Sequence, residues 1–342
     1  MTKTAEKVIV TGASGYIAAH VVDQFLKHGY RVVGTVRSAS KGEYLKKLFA
    51  AYGDAFEYSI VPDMQVEGAF DEAAKGTQGF IHVASPFFTE NVTDPNAQLV
   101  TPAVRGTLSA LRAARAAGVR RVVVTSSFAA IVRASQTLPY TYTEADWNTD
   151  SLALEVPTYQ TSKTKAEKTA WEYLEKEGAS FDLVTMNPPL VVGPTIHETS
   201  TTSLNTSMKY ILRYITGYFK EPPAGGIGWV HVRDLALAHV RAFERPVASN
   251  QRYLVGEGFY SWQDLCNVIR ANYSTLASQV PVGTPGVRQT LPSISNEKVK
   301  RDLGIEFVPF ETMVKESVDD CLALLKREGG SVNVGTIGAA DE

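Results

Sequence analysis

Tyr159 and Lys163 stand four residues apart in Tyr159-Gln160-Thr161-Ser162-Lys163, downstream of Val122-Val123-Val124-Thr125-Ser126-Ser127. On a helix, residues i and i+4 share a face, so an ammonium would lie beside a phenol. A free phenol titrates at about 10, too high for efficient proton exchange at neutral pH, and a nearby cation favours the phenolate and lowers that value. Ser127, at the end of a strand, can hold a carbonyl oxygen while Tyr159 delivers a proton to it. Of the 15 tyrosines, only Tyr159 has a lysine four residues on. A second group opens the chain, Thr11-Gly12-Ala13-Ser14-Gly15-Tyr16-Ile17-Ala18. Gly12 and Gly15 permit a tight turn and let the backbone approach a pyrophosphate. The helix that follows offers unpaired N–H groups and the positive end of its dipole, and Ala18 is small where helix meets strand. The chemistry expected is hydride transfer from a bound dinucleotide to a carbonyl, with the proton supplied by the phenol.

The elements that must position these groups alternate along the first half of the chain. Strands are expected at Lys7–Thr11, Arg31–Val36, Phe56–Val61, Gly79–Ala84, Arg120–Ser126 and Phe181–Asn187. Helices are expected at Tyr16–His28, Ala103–Ala117 and Thr158–Glu177, the last two closed by Gly118 and Gly178. Strands apolar on both faces, separated by helices, imply a parallel sheet covered on both sides. Past Pro188 the pattern changes to a Pro-, Thr- and Ser-rich stretch and an aromatic helix at Lys209–Phe219, and Trp229–Phe243 is expected to return to the sheet domain. The expected fold is α/β, a Rossmann-type doubly wound parallel sheet over residues 1–187 and 229–260. A smaller, discontinuous substrate-binding lobe is expected over 188–228 and 261–328, with 329–342 as a mobile tail.

Composition narrows the remaining possibilities. With 342 residues, 44% hydrophobic and 20% charged, the chain suits one large α/β domain or two smaller ones. A formal net charge of −2 gives no electrostatic reason for nucleic acid or an anionic membrane as partner. Cys266 and Cys321 lie in helix-like segments and read as reduced core thiols, and neither Cys-x-x-Cys nor His-Glu-x-x-His occurs, so no metal is expected. No Gly-x-Ser-x-Gly elbow is present. His82 and His231 are expected to be structural. No secretory signal, membrane span or targeting tripeptide is apparent, and the expected location is cytoplasmic.

The second strand bears on the choice of dinucleotide. An acidic residue near its end would bind ribose hydroxyls, as NAD enzymes require. Here the segment runs Thr35-Val36-Arg37-Ser38-Ala39-Ser40-Lys41. Arg37 and Lys41 offer positive charge where a 2′-phosphate would lie, so NADP(H) is expected. Asp63, after the third strand, can accept from an adenine amino group or serve as a turn residue.

These motifs, in this order, resemble the extended short-chain dehydrogenase/reductase superfamily. Further stretches extend the resemblance over nearly the whole chain: Val36-Arg37-Ser38, His82-Val83-Ala84-Ser85-Pro86-Phe87, Asn187-Pro188-Pro189-Leu190-Val191-Val192-Gly193-Pro194, Val232-Arg233-Asp234 and Asn296-Glu297-Lys298. Within the superfamily the chain is similar to the yeast NADPH-dependent methylglyoxal and aldehyde reductases, which act broadly on ketones, and to dihydroflavonol reductases. The resemblance implies reduction of aldehydes and ketones to alcohols, with Ser127, Tyr159 and Lys163 catalytic. It implies NADPH contacts from Gly12, Ala13, Ser14, Gly15, Tyr16, Ile17, Arg37, Lys41, Asp63, Met64, Ala84, Tyr159, Lys163, Pro188, Val191 and Ser207. Phe87 and Phe128 would line the substrate pocket. Phe128 stands where close relatives often carry tyrosine, and Pro189-Leu190 replaces bulkier residues, so pocket shape is the least transferable feature. Relatives occur as monomers and as homodimers.

Two rival readings remain. An NAD-dependent sugar-nucleotide epimerase or dehydratase would share the fold but needs a more polar pocket. A redox-sensing regulator would bind NADP without turnover, and such proteins often lack the tyrosine–lysine pair.

Overall fold

The computed structural model describes residues 5–85, 92–178 and 180–329. The strands are β1 Lys7–Val10, β2 Arg31–Val36, β3 Phe56–Ile60, β4 Gly79–His82, β5 Arg121–Thr125, β6 Thr141–Tyr142, β7 Asp182–Asn187, β8 Leu190–Val192, β9 Gly226–His231, β10 Gln251–Leu254, β11 Gly258–Ser261 and β12 Ser293–Ile294. The helices are α1 Tyr16–Lys27, α2 Ala39–Leu48, α3 Asp71–Ala74, α4 Thr101–Ala117, α5 Tyr159–Glu177, α6 Thr206–Ile215, α7 Val232–Glu244, α8 Trp262–Asn272, α9 Glu297–Leu303 and α10 Phe310–Arg327.

Among the described residues, seven strands form one parallel sheet in the order β10-β7-β5-β4-β1-β2-β3. Their β-branched runs are buried on both faces, as a helix-covered parallel sheet requires. Val8 and Val10 face a core shared with Val21, Val22 and Phe25 of α1 and Val240 and Phe243 of α7. Ile9, Phe80, Val122 and Val124 face the opposite way, onto Ala110, Leu111 and Ala114 of α4 and Ala170 of α5. The chain runs outward from β1 through β2 and β3, then crosses to β4 on the other side of β1. That reversal opens a crevice at the carboxyl ends of β1 and β4, the usual ligand position in such sheets.

After β7 the chain leaves the main sheet. Pro188 and Pro189 cannot donate ladder hydrogen bonds, which ends the strand. β8, β9 and β11 form a separate three-stranded sheet, with β8–β9 parallel and β9–β11 antiparallel. Trp229–His231, the start of the segment expected to return to the sheet domain, pairs in this small sheet. The return begins only at α7, which packs on α1, and at β10, which pairs with β7. The sequence Gly226-Ile227-Gly228-Trp229-Val230-His231 reads as a strand in either sheet, and β8 and β11 between them provide its pairing. α6, α8 and α10 pack around this small sheet, so its core is continuous with the α1–α7 side of the main one. Residues 330–342 of the expected tail lie outside the described residues.

Candidate active site

The glycine turn sits on the end of β1. Thr11 Oγ1 accepts from the Val83 and Ala84 N–H groups, both at 3.0 Å, and pairs with His82 Nδ1 at 3.0 Å. These bonds lock the end of β1 to the end of β4. Gly12 has φ +65, and a Cβ there would lie 3.0 Å from Ala84 Cβ. Gly12 is therefore required both by its left-handed backbone and by this close approach. Gly15 is exposed and caps α1, and its N–H donates to Gly12 O at 2.8 Å. The α1 N-cap makes no side-chain hydrogen bond, and no acidic residue occupies the first turn. An exposed glycine cradle in front of the positive end of a twelve-residue helix fits a pyrophosphate.

The expected cofactor residues fall into distinct places. Ala13 is buried, with its N–H donating to Thr35 O at 2.8 Å, while Ser14 and Ile17 are half-buried at the turn. Tyr16, expected among the cofactor contacts, has its side chain engaged elsewhere. Its ring is buried and its hydroxyl donates to Gly193 O at 2.8 Å. Arg37 is exposed just past β2. Lys41 reaches across to Glu198 at 2.8 Å. Asp63 is a turn residue here: its Oδ1 accepts from the Gln65 N–H at 2.9 Å. Met64 packs on Gly106 of α4, where a Cβ would come within 3.1 Å of its side chain. Val191 is buried in β8, and the Ser207 hydroxyl is engaged by Val191 O and by the Asn205 side chain. Pro188 O accepts from the Phe128 N–H at 2.8 Å.

Ser127 follows β5 and caps a short helical turn, with its Oγ accepting from the Ala129 N–H at 3.1 Å. Tyr159 is the first residue of α5, and Thr158 caps the helix through a reciprocal pair of hydrogen bonds with Thr161. That cap fixes where the helix begins, and therefore where the phenol points. Ser127 lies near enough to Tyr159 to act on its hydroxyl. Lys163 is one turn on, 7% exposed, with Nζ 5.6 Å from the Tyr159 ring centroid. Burial raises the Tyr159 pKa well above its usual value, and the Ser127 hydrogen bond pulls the other way. Burial lowers Lys163 to about 8, with Glu167 acting to raise it. Burial, rather than Lys163, therefore sets the direction of the phenol's shift, opposite to the expected acidification. Lys163 also bears on the buried His82 ring, which burial and that neighbouring charge hold down at about 3. Lys163 is thereby linked to the glycine turn through His82 and Thr11.

Phe128 is buried, packed edge-on against Tyr142 at 5.3 Å and Phe259 at 5.7 Å. Phe87 lies outside the described residues. Sequence reasoning missed the polar floor beneath the site. Asn187, at the end of β7, donates to Ser127 O at 3.1 Å and to Glu167 at 2.7 Å. Glu167 is four residues past Lys163 on α5, a spacing that could have signalled it. His231 is buried beside Glu316 at 3.2 Å, away from this floor.

A turn that suits a pyrophosphate and a serine–tyrosine pair beside a buried lysine share the carboxyl edge of one parallel sheet. Comparison with known proteins agrees. Residues 8–256 match the model of the NAD dependent epimerase/dehydratase family. The chain belongs to that family, the extended short-chain dehydrogenases/reductases. It is 40% identical over 348 residues to a putative NADPH-dependent methylglyoxal reductase of Candida albicans, covering 92% of this chain and 97% of that protein. It is 35% identical to an NADPH-dependent methylglyoxal reductase of Saccharomyces cerevisiae, covering 94% and 99%. The crystal structure of the yeast methylglyoxal/isovaleraldehyde reductase complexed with NADPH superposes with a TM-score of 0.84 at 32% identity, covering 94% of this chain and 99% of that one.

Proposed function

We propose that this member of the family is an oxidoreductase that reduces aldehydes and ketones to alcohols with NADPH, methylglyoxal-like dicarbonyls among its substrates. The observation that carries the reading is the Tyr159–Lys163 pair on one face of α5, Nζ 5.6 Å from the phenol ring centroid, with Ser127 acting on that phenol at the same sheet edge as the Gly12 turn. When bound, NADPH supplies the hydride that the carbonyl carbon receives. Ser127 and Tyr159 both direct hydroxyls at the carbonyl oxygen, Ser127 orienting it and Tyr159 giving up its proton to it. Burial keeps Tyr159 neutral, the donor form, but makes it a weaker acid, so its proton transfer depends on the Lys163 charge to favour the phenolate. Lys163, protonated below about 8, offers charge to the phenolate left behind and a donor to a ribose hydroxyl. The N–H groups of Gly12, Ala13 and Gly15 are engaged within the protein, so those of Ser14, Tyr16 and Ile17 hold the pyrophosphate, and Arg37 with Lys41 gives the 2′-phosphate its countercharge.

Tyr159→Phe tests the reading directly. Consumption of NADPH with methylglyoxal, small aldehydes and ketones should fall by about 10²-fold or more while NADPH still binds. Near-wild-type turnover in that variant removes the mechanism. A preference for NAD over NADP, with turnover of a sugar nucleotide, would establish the epimerase reading instead.

A further inference from the structure

The carboxylate of Glu167 is 1% exposed and accepts from four donors on three strands or their ends. Ser126 Oγ, just past β5, approaches to 2.6 Å. From β7, Thr185 Oγ1 donates at 2.9 Å and Asn187 Nδ2 at 2.7 Å. From β10, Arg252 Nε pairs with it at 2.7 Å. Arg252 is itself held, donating to the carbonyls of Glu144 and Asp146 and stacking 3.7 Å over Trp147. Each of these donors is fixed in the sheet or in a segment packed on it, so the carboxylate has little freedom to move. Glu167 lies one turn past Lys163 and two turns past Tyr159, on the same face of α5. Its partner Asn187 also holds the carbonyl of Ser127. One side chain thus ties the helix bearing Tyr159 and Lys163 to the strand end bearing Ser127.

We propose that Glu167 is a positioning residue for proton transfer, setting the separation between Ser127 and the Tyr159–Lys163 face and holding Lys163 in its charged form. The inference rests on the reading of Ser127, Tyr159 and Lys163 given above. The charged or titratable groups facing this pair are Arg252 on β10, His82 on β4 and Tyr159 on α5 itself. Glu144 contacts Arg252, and Lys168 shares Trp147 with it. Arg252 balances Glu167, and burial keeps His82 neutral, so Glu167 is the anion that favours protonated Lys163.

The experiment compares Glu167→Gln, Glu167→Asp and Ser126→Ala with wild type. It measures kcat and KM for methylglyoxal against pH, the NADPH Kd by fluorescence, and the fraction folded. In Glu167→Gln, kcat per folded molecule should fall by about 10-fold to 10²-fold, because small displacements at a site carry losses of this size. Its NADPH Kd should stay within about 3-fold of wild type, and the basic limb of kcat should move down by about one pH unit. Glu167→Asp, which keeps the charge but shortens the reach, should lose kcat without moving that limb. Should Glu167→Gln fail to fold, Ser126→Ala decides: it leaves the Arg252 pair intact and should lower kcat about 3-fold or more. An unchanged kcat in Ser126→Ala, or an unmoved basic limb in folded Glu167→Gln, overturns the proposal. Wild type and Tyr159→Phe run alongside. If those two turn over alike, the parent reading has failed rather than the role of Glu167.

Discussion

Tyr159 keeps its proton through the neutral range because burial raises its pKa by more than the Ser127 hydrogen bond lowers it. Reduction needs that neutral form, whereas alcohol oxidation needs the phenolate and should demand alkaline solution. Lys163 sets the other limit. Its charged form is complete below about 8 and is lost as pH rises through that value. Reductive kcat/KM should therefore be level near neutrality and decline above about pH 8, a profile that a pH–rate series reads directly. Activity held level through about pH 10 would contradict it. Arg37 controls a separate quantity. It stands exposed at the end of β2, where the chain has no carboxylate before Glu43. Arg37→Glu replaces the cation proposed to meet the 2′-phosphate with a carboxylate suited to a ribose hydroxyl. The ratio of kcat/KM for NADPH to that for NADH should fall by about 10²-fold, the size of one or two charge-assisted hydrogen bonds. Asp63 shows how local chemistry competes with a ligand role. An aspartate two residues before a free N–H closes an Asx turn, and it does so here.

At the scale of the element, the two ends that matter are the first turns of α1 and α5. α1 begins at Gly15 with no side-chain cap, which leaves its N–H groups directed outward. α5 begins at Thr158 with a full capping box, which pins Tyr159 at its first position. The sequence distinguishes these two starts: glycine leaves the first turn of α1 uncapped, and threonine caps α5 and holds Tyr159 in place. Gly12→Ala tests the first. Alanine at φ +65 costs about 1–2 kcal/mol from backbone strain alone, and its Cβ would crowd Ala84. The variant should lose that much stability in urea and bind NADPH far more weakly in a fluorescence titration. Wild-type affinity in the variant would show that the turn does not approach the dinucleotide.

Over the whole molecule, the small sheet is fused to the main one by a continuous core. Trp229 is fully buried between Trp262 at 6.0 Å and Phe310 at 5.2 Å, in the same cluster as Phe25 and Phe243 under the main sheet. Lobe and sheet should therefore unfold together. Trp229→Ala should destabilise the protein by about 3–5 kcal/mol in a single denaturant transition. Two separate transitions would mean that the lobe folds independently. Local patterns settled much of this protein before any coordinates. The β-branched runs with their glycine stops required a parallel sheet, and i, i+4 spacing placed Tyr159 beside Lys163, because both depend only on neighbours within one element. Other features needed the chain to close on itself. Gly226–His231 is strand-like wherever it goes, and pairing with β8 and β11 assigned it to the small sheet. Tyr16 turned inward because Gly193, 177 residues away, offered its carbonyl. The phenol's pKa followed burial rather than its sequence neighbour, and Glu167 gained its role from partners 18 to 85 residues distant. Desolvation and hydrogen-bond partners arise from packing, and a linear order of residues specifies neither until the sheet has brought those strands side by side.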